Sequence, residues 1–167
     1  MGSAAESLVA ALRDAQATVG TAESLTGGRV AARITGVPGA SQVYVGGVVS
    51  YQTEVKVVVL GVPEQTVVDH GVISAECARA MAEGVRRLLG TTYGISTTGV
   101  AGPDRQEDQP VGTVFVGIAG PDGVHAEALS FTGDRATIQE ESVEAALSAL
   151  AATISTTGPA PEDSRLG

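Results

Sequence analysis

Residues 43–51, Val-Tyr-Val-Gly-Gly-Val-Val-Ser-Tyr, are apolar or glycine at nearly every position. A strand covered on both faces reads this way, whereas a half-exposed strand alternates. Comparable short runs fall at 18–23, 92–98, 111–119 and 123–132, and segments of helical period lie between most of them. Leu8 and Leu12 mark a helix over 3–17. A second helix opens at Thr26-Gly27-Gly28 and runs to about Thr35, where Gly36, Pro38 and Gly39 break it. Thr53 is placed to cap a short helix over 54–60, and Pro63 starts another that Gly71 ends. Ser74 suits the cap of a helix on which Cys77, Met81, Val85 and Leu88 follow at helical spacing up to Gly90. Asp134 opens the last helix, with Val143, Leu147, Leu150 and Ile154 on one face. Helix and apolar strand in alternation argue for an α/β fold, one sheet with helices on both faces. The tight turn Pro121-Asp122-Gly123 forces the last two strands, if neighbours, to pair antiparallel, so the sheet is expected to be mixed.

A chain of 167 residues is sized for one domain, expected over 1–157, and residues 158–167 read as a disordered tail. With no tryptophan, three tyrosines and two phenylalanines, the core must be aliphatic. The net charge of −9, with arginines scattered and only Arg86 and Arg87 adjacent, disfavours nucleic acid and anionic membrane surfaces as partners. An anionic small molecule stays compatible, because a pocket can invert the global field. The single cysteine, Cys77, excludes an internal disulfide, suits a reducing cytoplasm and reads as a small core residue. No stretch reaches the roughly 18 apolar residues of a membrane span, and the start lacks the basic-then-apolar pattern of a signal peptide. His70 and His125 lack metal-ligand spacing, so neither is assigned to a metal site. The valine-rich strands lead us to expect a homodimer or a higher homo-oligomer.

Four segments carry candidate chemistry. The first is Ala22-Glu23-Ser24-Leu25-Thr26-Gly27-Gly28, at the end of a strand and the start of a helix. Ligands in open α/β sheets bind at such strand ends, and a helix start offers unpaired N–H groups. An N-cap role for Ser24 or Thr26, with glycines packing helix on sheet, explains the same pattern. The second is Tyr51 to Lys56. Lysine occurs once in the chain, at Lys56, against nine arginines. A serine with a neutral lysine suffices for acyl transfer, and arginine cannot replace lysine because its guanidinium does not give up a proton. A first-turn position on the helix capped by Thr53 is expected to lower the Lys56 pKa through the dipole. A solvated surface lysine is the alternative. The third is Gly99-Val100-Ala101-Gly102-Pro103-Asp104, either an anion nest or a plain wide turn. The fourth is Phe131-Thr132-Gly133-Asp134-Arg135, where Arg135 either grips a phosphate or is an exposed residue on a capped helix.

In this order, and together with Leu60-Gly61-Val62, His70-Gly71-Val72-Ile73-Ser74 and Pro110-Val111-Gly112-Thr113-Val114, these segments resemble the CinA C-terminal domain family, which includes nicotinamide-nucleotide amidases. The resemblance spans roughly residues 6–155. It implies a three-layer α/β/α sandwich with a mixed, mostly parallel sheet, in the stand-alone form. It implies hydrolysis of nicotinamide mononucleotide to nicotinate mononucleotide and ammonia, without a cofactor. By position, Ser24 resembles the nucleophile, Lys56 its general base and Tyr51 an assisting hydroxyl. Glu23, Thr26, Gly27, Gly28, Gly99, Ala101, Gly102 and Arg135 are the positions expected around the substrate. Three departures stand out: Thr53 where the family often has Asn, Arg105-Gln106 where Gly-Gly usually follows Pro-Asp, and Gln109 where a lysine often stands. The rival expectation is a non-catalytic nucleotide-binding or regulatory module linked to competence or the DNA-damage response.

Overall fold

The computed structural model describes residues 2–157, and the tail expected at 158–167 lies outside the described residues. Six helices and five strands follow in the order α1 (Ala4–Asp14), β1 (Val19–Glu23), α2 (Arg29–Thr35), β2 (Tyr44–Val49), α3 (Thr53–Val58), α4 (Glu64–His70), α5 (Ala75–Leu89), β3 (Tyr93–Gly99), β4 (Thr113–Gly120), β5 (Gly123–Ser130) and α6 (Arg135–Thr156), with a single 3₁₀ turn at Ala40–Gln42. The sheet runs β2-β1-β3-β4-β5. β1 pairs in parallel with β2 and β3, β4 is antiparallel to β3, and β5 to β4. The sheet is therefore mixed, and every described strand except β4 points the same way.

Local chemistry sets the helix ends. Ser3 and Glu6 form a reciprocal capping box at the start of α1. The Ser74 side chain accepts from the Cys77 N–H at 3.1 Å and opens α5, which ends at Gly90 in the left-handed region. Asp134 Oδ1 accepts from the Thr137 N–H at 2.8 Å and opens α6. Those hydrogen bonds hold the Asp134 carboxyl below the usual carboxylate range.

Alternation along the strands sorts the core into two layers. On one face Leu8, Leu12, Ile34, Leu147 and Leu150 from α1, α2 and α6 pack on Val19, Ile95, Val116 and Ile118. On the other, Cys77, Met81 and Val85 of α5 pack with Ala22, Leu60 and Val72. A fully buried leucine contributes about 2–3 kcal/mol by removal from water, so the α1–α6 layer supplies much of the driving force. α5 lies directly on the sheet. A Cβ at Gly94 would collide with the Ala82 carbonyl oxygen, and one at Gly117 with that of Ala78.

Two expectations need correction. The run at 43–51 does not form a strand buried on both faces. β2 is an edge strand of alternating exposure, with Val45 and Val49 about half exposed. An unbroken apolar run cannot distinguish a central from an edge position, because that depends on which strands flank it. Nor does Thr53 cap α3: it is the first helical residue, and Gln52 precedes it without a side-chain cap.

Candidate active site

The three parallel strands end side by side. Glu23 is in register with Val49 of β2 and with Thr97 of β3. The residues that follow each strand, Ser24, Ser50-Tyr51 and Gly99 to Gly102, are thus delivered to one rim of the sheet. A cavity of about 410 Å³ opens there, lined among others by Ser24, Tyr51, Lys56, Gly99, Ala101, Gly102 and Arg135. Its size falls in the range of about 300–1,000 Å³ typical of small-molecule sites.

Ser24 sits in a turn closed by the Gly27 N–H donating to the Ser24 carbonyl at 3.0 Å, while its own N–H donates to Thr97 O at 3.0 Å. Lys56 reaches this turn from α3. It is 1% exposed, one of the largest fully buried side chains in the protein. Its Nζ lies 3.0 Å from Ser24 Oγ, 2.6 Å from the Ser50 carbonyl oxygen and 3.3 Å from the Tyr51 carbonyl oxygen. The two carbonyls can only accept. A neutral amine has two N–H bonds and one lone pair. If both N–H groups donate to the carbonyls, the lone pair is left for the Ser24 hydroxyl proton. That is the arrangement a general base needs.

Burial pushes the Lys56 pKa below the ordinary lysine value, with Cys77 and Glu107 pulling weakly the other way. The direction agrees with the sequence-based expectation, but the cause is desolvation, not a position at a helix start. Lys56 lies in the last turn of the six-residue α3. Among the described residues no carboxylate forms an ion pair with it. The neighbouring Cys77 is fully buried, and burial raises its thiol to about 11, so it stays protonated.

Tyr51, expected as an assisting hydroxyl, lines the cavity and makes two contacts there. Its carbonyl holds Lys56, while its half-exposed phenol oxygen accepts from Arg135 Nη2 at 2.9 Å. Arg135 Nη1 donates to the Gly102 carbonyl at 2.7 Å. This clamp joins the end of β2, the Gly99–Pro103 loop and the start of α6 at the cavity mouth. Gly102, with φ of 92°, adopts a left-handed conformation that favours glycine.

Glu23 and Thr26 do not line the cavity. Glu23 is 2% exposed, and its carboxylate accepts from the Val30 and Ala31 N–H groups at 2.7 and 3.1 Å. Thr26 Oγ1 donates to Glu23 Oε1 at 2.6 Å and lies 2.7 Å from Thr97 Oγ1. Together they cap α2 from beneath, taking the place of a side-chain cap at Gly28, which α2 lacks. Gly27 and Gly28, with φ of 56° and 101°, make the turn between Ser24 and α2. Gly27 faces a neighbouring cavity, and its N–H is already engaged. Several residues lining the cavity have backbone N–H groups with no hydrogen-bond partner among the described residues; Leu25, on the Ser24 turn, and Ala101 and Gly102, on the facing loop, are the buried ones. Sequence reasoning missed Leu25, as well as the Ser50 carbonyl that grips Lys56. Backbone groups leave no trace in residue identity.

Among the described residues no helix is long and apolar enough to cross a membrane, and no group of three or more His, Cys, Asp or Glu is placed to hold a metal ion.

Comparisons with known proteins point to one family over most of the described chain. A CinA-like protein from Frankia casuarinae is 53% identical over 131 residues, covering 78% of this chain and 30% of that protein. A putative competence-damage inducible protein from Desulforamulus reducens is 48% identical over 136 residues, covering 81% of this chain and 33% of that protein. The chain thus spans about a third of the length of these curated relatives. A competence-damaged protein (CinA) superfamily protein from Klebsiella pneumoniae superposes with a TM-score of 0.89 at 30% identity, covering 92% of this chain and 96% of that one. The competence/damage inducible protein CihA from Agrobacterium tumefaciens gives 0.85 at 30% identity, covering 91% and 96%. The model of the CinA C-terminal domain matches residues 2–154, and the chain belongs to that family.

Proposed function

We propose that the protein is a serine–lysine amidohydrolase that deamidates nicotinamide mononucleotide to nicotinate mononucleotide and ammonia, in pyridine-nucleotide salvage in the cytoplasm. The observation that carries this reading is the 3.0 Å contact between Lys56 Nζ and Ser24 Oγ, made by a buried amine that has no counter-ion among the described residues. In this reading neutral Lys56 takes the Ser24 hydroxyl proton as Oγ attacks the carboxamide carbon. The developing oxyanion is met by the Leu25 N–H, with those of Ala101 and Gly102 on the facing loop. Lys56, now an ammonium, donates its proton to the leaving nitrogen, and ammonia departs as the C–N bond breaks. A water molecule then gives a proton to Lys56 and attacks the acyl carbon; as the C–O bond to Ser24 breaks, Lys56 returns that proton to Ser24 Oγ, and the released acid ionises to the carboxylate by losing its proton to solvent. Arg135 at the mouth suits the anionic end of a nucleotide.

The test is direct. Purified protein incubated with nicotinamide mononucleotide should release ammonia and nicotinate mononucleotide in equal amounts. Binding without ammonia release, from a folded sample, would replace the amidase reading with that of a nucleotide-binding module.

A further inference from the structure

Glu107 lies outside the chemistry just described, yet it connects the two sides of the cavity. It stands on the loop after β3 and reaches the turn before α5. Its Oε2 accepts from the Val72 and Ile73 N–H groups at 3.0 and 3.2 Å, and Oε1 accepts from the Val72 N–H at 3.2 Å. Room for the carboxylate depends on glycine at 71, where a Cβ would collide with Glu107 Oε2. The receiving turn is itself anchored, because Thr98 Oγ1 of β3 donates to the Val72 carbonyl at 2.7 Å.

The loop around Glu107 does not hold its shape by local preference. The Gln109 N–H donates to Gln106 O at 2.8 Å and the Gln106 N–H to Gln109 O at 3.4 Å, which encloses a two-residue turn. Its two residues, Glu107 and Asp108, have φ of 51° and 60°. Such turns ordinarily draw Asn-Gly or Asp-Gly, because a side chain resists the left-handed region. Glu107 has no such tolerance; its turn is held locally by Arg105 Nη2 donating to the Asp108 carbonyl at 2.7 Å, and at longer range by the bonds of the Glu107 carboxylate to a distant part of the chain. Those bonds run between the cavity's two walls. Val72 and Ile73 line one wall, and Pro103, Asp104, Arg105 and Gln106 line the other.

We propose that Glu107 is a positioning residue whose carboxylate latches the rim hairpin to the 71–73 turn and so sets the width of the cavity mouth for substrate binding. It touches none of the reacting atoms. Its effect on substrate rests on the amidase reading above, whereas the latch itself does not.

The experiment compares wild type, E107A and E107Q by steady-state kinetics on nicotinamide mononucleotide and by amide hydrogen exchange on the unliganded protein. In E107A, KM is expected to rise about tenfold with kcat within about twofold, the pattern of lost binding rather than lost chemistry. Exchange at the Val72 and Ile73 amides should accelerate at least about tenfold, while the β3 amides, which report the intact fold, stay unchanged. E107Q keeps one carbonyl acceptor and should recover part of the affinity. Unchanged exchange at Val72 and Ile73, or a kcat that falls while KM holds, overturns the proposal. If wild type releases no ammonia, the amidase reading fails while faster exchange in E107A still upholds the latch, and a titration with nicotinamide mononucleotide then replaces KM.

Discussion

The two sides of the cavity are built on opposite terms. The side that carries Ser24 and Lys56 is buried, and nearly every polar atom in it is engaged. Glu23, Thr26 and Thr97 lock the turn from below, and the Ser50 and Tyr51 carbonyls hold the amine from the side. The side formed by residues 103–106 is exposed and rests on a few long-range bonds, from Arg135 at one end and Glu107 at the other. The proton transfer proposed from Ser24 to Lys56 would require a fixed distance and a dry environment, which burial supplies. A mouth that admits a charged ligand must remain wet, and its groups must be held by individual contacts. The contrast predicts that changes on the buried side abolish turnover or folding, and changes on the rim alter affinity.

The largest effects should follow from the two reacting groups. Ser24→Ala is expected to lower ammonia release at least about a thousandfold with an unchanged melting temperature, because its hydroxyl contacts Lys56 and no structural partner. Lys56→Arg should lose as much, since a guanidinium stays protonated. An active Lys56→Arg protein would remove the lysine from the mechanism. In wild type, kcat/KM should climb as pH rises through the depressed Lys56 pKa and then level off, the sign required when the neutral amine is the active form.

Glu23 tests whether the buried side is structural where it does not line the cavity. Glu23→Ala strands the Val30 and Ala31 N–H groups and leaves the Thr26 hydroxyl with Thr97 as its one partner, and should cost about 3 kcal/mol in urea unfolding. A variant of near wild-type stability would mean that α2 is held by other contacts. On the rim, Arg135→Ala should raise KM about tenfold and leave kcat within a few-fold. An equal fall in kcat would place Arg135 with the reacting groups and blur the contrast.

The smallest effect is a trend of stability with pH. Because the folded Lys56 pKa lies below its unfolded value, the unfolded chain binds more protons in the window between the two. Stability therefore rises with pH across that window, and the burial penalty is complete below it. Lys56→Met removes the titration. The stability difference between Lys56→Met and wild type should move against the variant as pH increases, read from urea midpoints at several pH values. A pH-independent difference would mean that Lys56 titrates alike in both states.

Much of the architecture was legible in residue order. Helix starts at Ser74 and Asp134 are side-chain caps, which act within three residues. The apolar faces of α1, α5 and α6 follow from spacing, except that Leu88, in step with Cys77, Met81 and Val85, is half exposed at the end of α5. The candidate reacting pair was legible too, because a lone lysine and a serine on a glycine turn are identities. What failed to read through were properties of position. Glu23 and Thr26 looked like site residues and became a cap, because the turn that presents Ser24 and Leu25 to the cavity carries the Thr26 hydroxyl and the Glu23 carboxylate beneath the start of α2. β2 looked central and became an edge.

Composition and local pattern alone determined that this chain alternates helix and strand, packs an aliphatic core, and carries a single lysine and a serine on a glycine turn. Only the tertiary structure decided that the amine is stripped of water and held by two carbonyls, and that Glu107 ties the rim together. Caps and periodicity are contacts between residues a few positions apart. Desolvation and the grip on Lys56 instead depend on segments brought together from 5 to 32 positions away, and the Glu107 latch from 34 to 35. No short stretch of sequence contains both halves of those longest contacts.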